Sequence, residues 1–183
     1  MHPLIIVAIV VGVLALIIGL WWIGTSNSLN VAQVKIEESF SGIDVALTKR
    51  YDVLTKMIDV VKGYAKHEKE TLFEVINLRS NMTVQEKNQA NRLMDEGFRK
   101  INVVAESYPE LKSSENYKTL QKSIVDVEEH LQAARRFYNS NVSSFNQMIV
   151  TFPTSMVAKS KGMAKKEFFE TDSIKREDVK IDL

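Results

Sequence analysis

The chain has 183 residues, 45% of them hydrophobic and 26% charged, which is enough for about one folded domain and too apolar for a disordered chain. Lys and Arg total 24 against 23 Asp and Glu, a formal net charge of +1. That balance argues against a nucleic-acid binder that works by neutralising phosphates. With no Cys, disulfides, thiolate metal sites and cysteine nucleophiles are excluded. Seven Gly and three Pro are few for a turn-rich β fold, so a helical chain is expected.

The first element is apolar throughout. Leu4 to Ile23 is a run of 20 residues containing only Leu, Ile, Val, Ala, Gly and Trp. A helix of about 20 residues spans the roughly 30 Å hydrocarbon layer of a bilayer. Fourteen of the 20 are Leu, Ile or Val, and together they favour insertion by roughly 4 to 8 kcal/mol. Trp21 and Trp22 end the run, where indoles prefer the headgroup zone. A core helix of this length needs polar positions on one face, and a cleaved signal needs a basic start and a shorter apolar stretch. The expectation is a single-pass membrane anchor over residues 1–24. Lys35, Lys49 and Arg50 follow the span and no Lys or Arg precedes it, which places the bulk of the chain in the cytoplasm by the positive-inside tendency. Glu37 and Glu38 beside Lys35 leave the opposite orientation open.

Beyond the span, Asn27 or Ser28 is the expected cap of a second helix. Its apolar stripe runs through Ile36, Phe40, Ile43, Leu47, Tyr51, Leu54, Ile58, Val61 and Ala65, in steps of three and four. Gly63 is a point where it can bend, and the pattern goes on through Leu72 and Leu78 towards a weak stop at Asn81. A second stripe uses Leu93 or Met94, Phe98, Ile101, Val104, Ala105 and Tyr108, and Pro109 closes it. Ser113 or Ser114 begins a third helix, whose stripe from Tyr117 through Leu131, Tyr138 and Phe145 to Phe152 holds close to a seven-residue repeat. Pro153 ends it. A short fourth helix is expected around Phe168 and Phe169, and 173–183 reads as a polar tail. Three long amphipathic helices bury their stripes against one another, so the predicted class is all-α. A transmembrane helix is followed by an elongated antiparallel bundle of three to four helices over residues 25–172.

Several motifs are similar to those of a known family. Ile43-Asp44-Val45, Lys49-Arg50-Tyr51-Asp52, Val61-Lys62-Gly63-Tyr64-Ala65, His67-Glu68 and Glu70 resemble the first-helix motif of the LemA family. Ala133-Ala134-Arg135-Arg136-Phe137-Tyr138-Asn139, Asn146, Phe152-Pro153, Ala158, Gly162 and Phe168-Phe169-Glu170 resemble its second block. Asn27 and Leu29 match its usual start. The family often has Trp where Phe40 stands, Gln where Ala46 stands and Pro where Thr55 stands, so the first helix is expected to be straighter here. The resemblance implies a bacterial membrane-anchored helical bundle and no particular reaction. Some relatives are associated with magnetosome membranes, which points to organising roles.

Chemistry-bearing patterns are few. His67, Glu68 and Glu70 invite a metal reading, but no Glu-x-x-His or His-Glu-x-x-His accompanies them, and a solvated helix face is the plainer account. Glu128-Glu129-His130 reads as a charged face in the same way. Glu37 and Glu38 are adjacent and project about 100° apart, too far round the helix to share a proton site. Gly-x-Ser-x-Gly and glycine-rich phosphate loops are absent. The expectation is therefore no catalytic, cofactor or metal site and no enzyme, with a metal-dependent or enzymatic protein using the His67/Glu68/Glu70 face as the alternative. Asp44, Arg50, Arg135 and Asn139, with Arg136, are singled out because they border the apolar stripes. They read either as polar contacts between the first and third long helices, with Asp44 opposite Arg135, or as a patch for a partner. Met148, Met156 and Met163 with Phe152, Phe168 and Phe169 make a soft aromatic end, fit for packing the last helix or for adaptable binding. The function expected is an interaction scaffold or adaptor at the membrane. Its partners are the lipid bilayer and membrane or cytoplasmic proteins, without nucleic acid, and self-association is open to it.

Overall fold

The computed structural model describes residues 3–64 and 82–169, and among them there are helices and no strand. Helix α1 is Pro3–Tyr64, α2 is Val84–Ser107, α3 is Pro109–Ser113, α4 is Glu115–Val150 and α5 is Thr154–Ser160. The chain forms two compact units. One comprises Met1–Glu38 and Ser140–Glu167, the other Ser39–Asn139 and Phe168–Leu183.

The apolar run and the first amphipathic stripe are one helix. No cap interrupts α1 at Asn27 or Ser28; both side chains are exposed and the helix passes through them. Gly24 weakens a helix by about 1 kcal/mol relative to Ala, too little to stop it between long helical flanks. Thr55, where the family often has Pro, keeps its N–H for the helix, and its hydroxyl donates to the Tyr51 carbonyl at 2.9 Å.

In the first unit, Leu29 and Ile36 of α1 are buried with Val142, Phe145 and Ile149 of α4 and Val157 and Ala158 of α5. In the second, α1 buries Ile43, Leu47, Leu54 and Val61, which are the stripe read from the sequence, together with Met57. From α2 come Met94, Phe98, Ile101 and Val104, and from α4 Tyr117, Val127, Leu131 and Tyr138. Burying such side chains contributes roughly 1.5–3 kcal/mol each, which outweighs the weak propensity of any single turn. Contacts in this unit define the helix directions. Phe40 and Arg50 of α1 face Tyr138 and Glu128 of α4, so these two helices are antiparallel. Asp44, Arg50 and Leu54 face Lys87, Asn91 and Gly97, so α2 runs in the same sense as α1.

Local signals set the helix ends. Thr83 caps α2 in a reciprocal box with Glu86: the Glu86 N–H donates to the Thr83 hydroxyl at 3.3 Å, and the Thr83 N–H donates to the Glu86 carboxylate at 2.7 Å. Pro109 both closes α2 and opens α3 at its first turn. Ser114 accepts from the Tyr117 N–H at 3.3 Å and so caps α4.

The fourth helix differs from expectation. It is α5, at Thr154–Ser160, not a helix around Phe168 and Phe169. Gly162, at φ 65°, ends it in the left-handed conformation, and the Met163 N–H closes back on the Ala158 carbonyl at 3.0 Å. Residues 163–169 then run without helix.

Candidate functional site

Of the polar residues that border the stripes, Arg50 and Arg135 are buried and Asp44 and Asn139 half-buried, and the partners of Asp44 and Arg50 lie mostly on α2. Lys87 is 2% exposed. Its ammonium pairs with the Asp44 carboxylate and stands 3.6 Å from the centroid of the Phe40 ring. The half-buried Asp44 therefore engages Lys87 of α2, where a partner on the third long helix was expected.

One turn and a half further along α1, Arg50 is buried and uses its guanidinium as a fork. Nη1 donates to the Asn91 side-chain carbonyl and Nη2 to the Asp95 carboxylate. Nη2 also stands 3.0 Å from the Glu128 carboxylate of α4, and the guanidinium lies 5.3 Å from the centre of the Phe98 ring. One side chain thereby ties three helices together. Glu128 is half-buried in this cluster, while Glu129 and His130 are exposed. The charged face read at 128–130 is therefore divided between a core-facing carboxylate and a solvated pair.

The other two singled-out residues hold the segment after α5. Asn139 donates to the Phe169 carbonyl at 2.9 Å and accepts from the Phe169 N–H at 2.8 Å. Its amide thus clasps one residue of main chain, which is not a contact between long helices. Arg135 is buried with its guanidinium 5.2 Å from the centre of the Phe169 ring, and Phe169 is itself buried. Arg136, beside it, is exposed. In the first unit, Asn146 repeats the clasp on Lys166, accepting from its N–H and donating to its carbonyl, both at 2.9 Å. This two-way bonding gives backbone that lies outside any helix the partners it needs.

A cleft of about 590 Å³ lies where α2, α3 and α4 meet, lined by Asn102, Glu106, Lys112, Tyr117, Gln121 and Lys122 among others. The Tyr117 hydroxyl donates to the Asn102 side-chain carbonyl at 3.0 Å and accepts from Gln121 at 2.8 Å. Burial raises the Tyr117 pKa, the Gln121 hydrogen bond opposes that rise, and the Glu106 charge adds to it. A second depression, about 620 Å³, is lined by Asp126, Glu128, Glu129, His130, Gln132 and Arg136 of α4 alone. Among the described residues no three His, Asp or Glu side chains are grouped as metal ligands. The His67/Glu68/Glu70 face lies outside the described residues, as do residues 173–183.

Lys87, Asn91 and Asp95 were not singled out in the sequence, and Glu128 was read only as part of a solvated charged face. A signal for the first two exists. Stepping back along the α2 stripe from Phe98 and Met94 at helical spacing lands on Asn91 and Lys87.

The apolar run at the start of α1 stands apart from all of this. From Leu4 to Ile23 every residue is exposed, in a helix long and apolar enough to cross a membrane. Packing on α1 begins at the half-buried Thr25 and Ser26 and is complete at Leu29.

The LemA family model matches residues 39–183. Protein LemA of Metamycoplasma hominis is 32% identical over 167 residues, covering 86% of this chain and 74% of that protein. Magnetosome protein MamQ of Magnetospirillum gryphiswaldense is 27% identical over 70 residues, which is 38% of this chain and 26% of that protein. Magnetosome protein MamQ 2 of Paramagnetospirillum magneticum is 30% identical over 71 residues, 39% of this chain and 26% of that protein. The buried polar seam of α1, α2 and α4 falls within the matched residues. On this match and the exposed apolar run of α1, the chain belongs to the LemA family and is a membrane-associated helical protein.

Proposed function

We propose that this chain works by protein–protein contact, as a scaffold or adaptor held at the bacterial cell membrane by the start of α1, with its folded part in the cytoplasm. The observation that carries the reading is the continuity of α1, in which one helix of 62 residues joins a fully exposed apolar run to the helix that packs the core. An exposed apolar surface of that size needs a non-aqueous surrounding. No break in α1 separates the apolar run from the residues that pack. Confinement to two dimensions raises the effective concentration of the bundle towards other membrane proteins. Recognition of an amphipathic partner helix by the helical surface is the contact mode such a bundle offers. The buried polar residues supply register, because each aims at a partner within the fold and not into a common cavity.

The test is crosslinking of intact bacterial membranes followed by mass spectrometry. The reading expects reproducible crosslinks from bundle lysines such as Lys118 and Lys122 to the same few proteins. Crosslinks confined to this chain, together with stoichiometric metal and turnover in the purified protein, would favour the metal-dependent alternative. A phosphatase reporter fused to the C-terminus and found active would reverse the cytoplasmic assignment.

A further inference from the structure

Phe152 is the one member of the α4 stripe that the fold leaves in the open, at 76% exposure, and Met156 of α5 is 55% exposed. Their position within the first unit follows from register. The Asn141 side chain donates to the Lys35 carbonyl at 3.3 Å. From Asn141, α4 runs nine more residues to Val150, about 13 Å at helical rise. It descends along α1, because beyond the corner the Lys161 ammonium donates to the Ser26 hydroxyl at 2.6 Å and to the Asn30 side-chain carbonyl at 2.8 Å. Val150 therefore lies level with about residue 26 of α1, and Phe152 level with about Gly24. Ile23 closes the apolar run, and Trp21 and Trp22 mark its headgroup end. Headgroups extend about 5–7 Å beyond the hydrocarbon on each side, so the corner from Val150 to Lys161 stands at their depth.

The charge at this corner has the matching sign. Residues 151–167 carry Lys159, Lys161, Lys165 and Lys166 against a single Glu167, and α1 has no acidic residue before Glu37. Exposed aromatic and thioether side chains beside lysines suit the boundary between acyl chains and anionic headgroups. We infer that the α4–α5 corner is a second membrane contact, in which Phe152 and Met156 enter the interface and the lysines meet anionic lipid headgroups. The bilayer is chosen over a protein partner because the surface is continuous in height with the apolar run of α1. The inference rests on the anchoring of α1. Two contacts, one spanning and one interfacial, fix the tilt of the first unit against the membrane, which a lone helix does not.

The chain has no native cysteine, so single labels are simple to place. Full-length protein carrying Thr151→Cys, Leu20→Cys or Ser144→Cys is labelled with an environment-sensitive fluorophore and reconstituted in vesicles of phosphatidylcholine with or without phosphatidylglycerol. Quenching by lipids with nitroxides at the headgroup or along the acyl chain reads the depth. The Leu20 label should be quenched by acyl-chain nitroxides. The Thr151 label should be blue-shifted and quenched by headgroup nitroxides, more so with phosphatidylglycerol. The Ser144 label, about 10 Å higher at helical rise, should stay in water. Phe152→Ser with Met156→Ser should abolish quenching at Thr151, and Lys159→Glu with Lys165→Glu should remove its dependence on anionic lipid, both leaving the Leu20 signal intact. A quenched Leu20 label with a Thr151 label as water-exposed as Ser144 overturns this inference alone. A Thr151 label shielded without nitroxide quenching assigns the corner to a protein surface and also overturns it. An unquenched Leu20 label overturns the anchoring and the inference together.

Discussion

The Lys87 ammonium lies 3.6 Å from the centroid of the Phe40 ring, buried on the face of α2 that also carries Asn91 and Met94. The ring's negative face and the Asp44 carboxylate together replace the water that the charge gave up. The two halves of the ion pair are not equally buried, and that asymmetry is testable. Asp44→Ala leaves a buried charge short of its counter-ion and should destabilise by about 2–3 kcal/mol, below the roughly 3–5 kcal/mol of a fully buried pair because the ring remains. Lys87→Met leaves a carboxylate that water can reach, and should cost less than half as much. Phe40→Trp, the residue common in the family, should keep the contact, while Phe40→Leu should lose about 1 kcal/mol. Urea unfolding of the full-length protein in detergent, followed by circular dichroism, measures each. Equal losses for Asp44→Ala and Lys87→Met would contradict the account.

Arg50 joins three helices through a planar fork, and a lysine cannot reproduce that geometry. Arg50→Lys should destabilise by about 2 kcal/mol in spite of the retained charge. A double-mutant cycle of Arg50→Ala with Asp95→Ala should give a coupling of about 1–3 kcal/mol. Additive losses would show that the fork does not hold α1 to α2.

At Gly97 of α2 the first helix comes close: a Cβ there would stand 3.2 Å from both methyl carbons of the buried Leu54. Ala would gain about 1 kcal/mol of helix propensity but crowd Leu54, so Gly97→Ala should change stability by less than about 1 kcal/mol. Gly97→Leu has no such room and should cost about 2 kcal/mol or more. The same unfolding measurement decides, and a stable Gly97→Leu variant would contradict the close approach.

Tyr117 links stability to alkaline pH. Its pKa is raised above the ordinary 10.0 chiefly by burial, so the folded state favours the neutral phenol. Ionisation would also remove the proton that it donates to Asn102. The contribution is therefore complete below about pH 10 and is lost as pH rises through the higher folded value. Unfolding free energies measured from pH 8 to 11 should fall more steeply for the native chain than for Tyr117→Phe. Parallel curves would contradict this role.

The apolar stripes were legible because burial follows the helical period closely: the predicted residues from Ile36 to Val61, from Met94 to Ala105 and from Tyr117 to Ile149 are buried or half-buried. The polar seam was half legible. Asp44, Arg50, Arg135 and Asn139 could be picked out by their place beside a stripe, but their partners could not. Lys87 and Asn91 occupy stripe positions, where a polar residue reads as the end of the stripe and not as a core member. The direction of α2 relative to α1 was not legible, since a stripe says which face is covered and nothing about the sense of the neighbour. Asn139 and Asn146 are seven residues apart and so share a helical face by count alone. That they clasp main chain was hidden, because an amide that binds backbone leaves no complementary side chain to find. Phe168 and Phe169 suggested a helix because adjacent aromatics need cover. Gly162 ends α5 well before them, and Asn139 supplies Phe169 with the hydrogen bonds that a helix would have given.

The account depends most on the bilayer holding the start of α1, and sedimentation of the full-length protein from lysed cells tests that directly. The chain should pellet with the membranes, stay there through an alkaline carbonate wash and be released by detergent. Recovery in the detergent-free supernatant with residues 1–23 intact would contradict it.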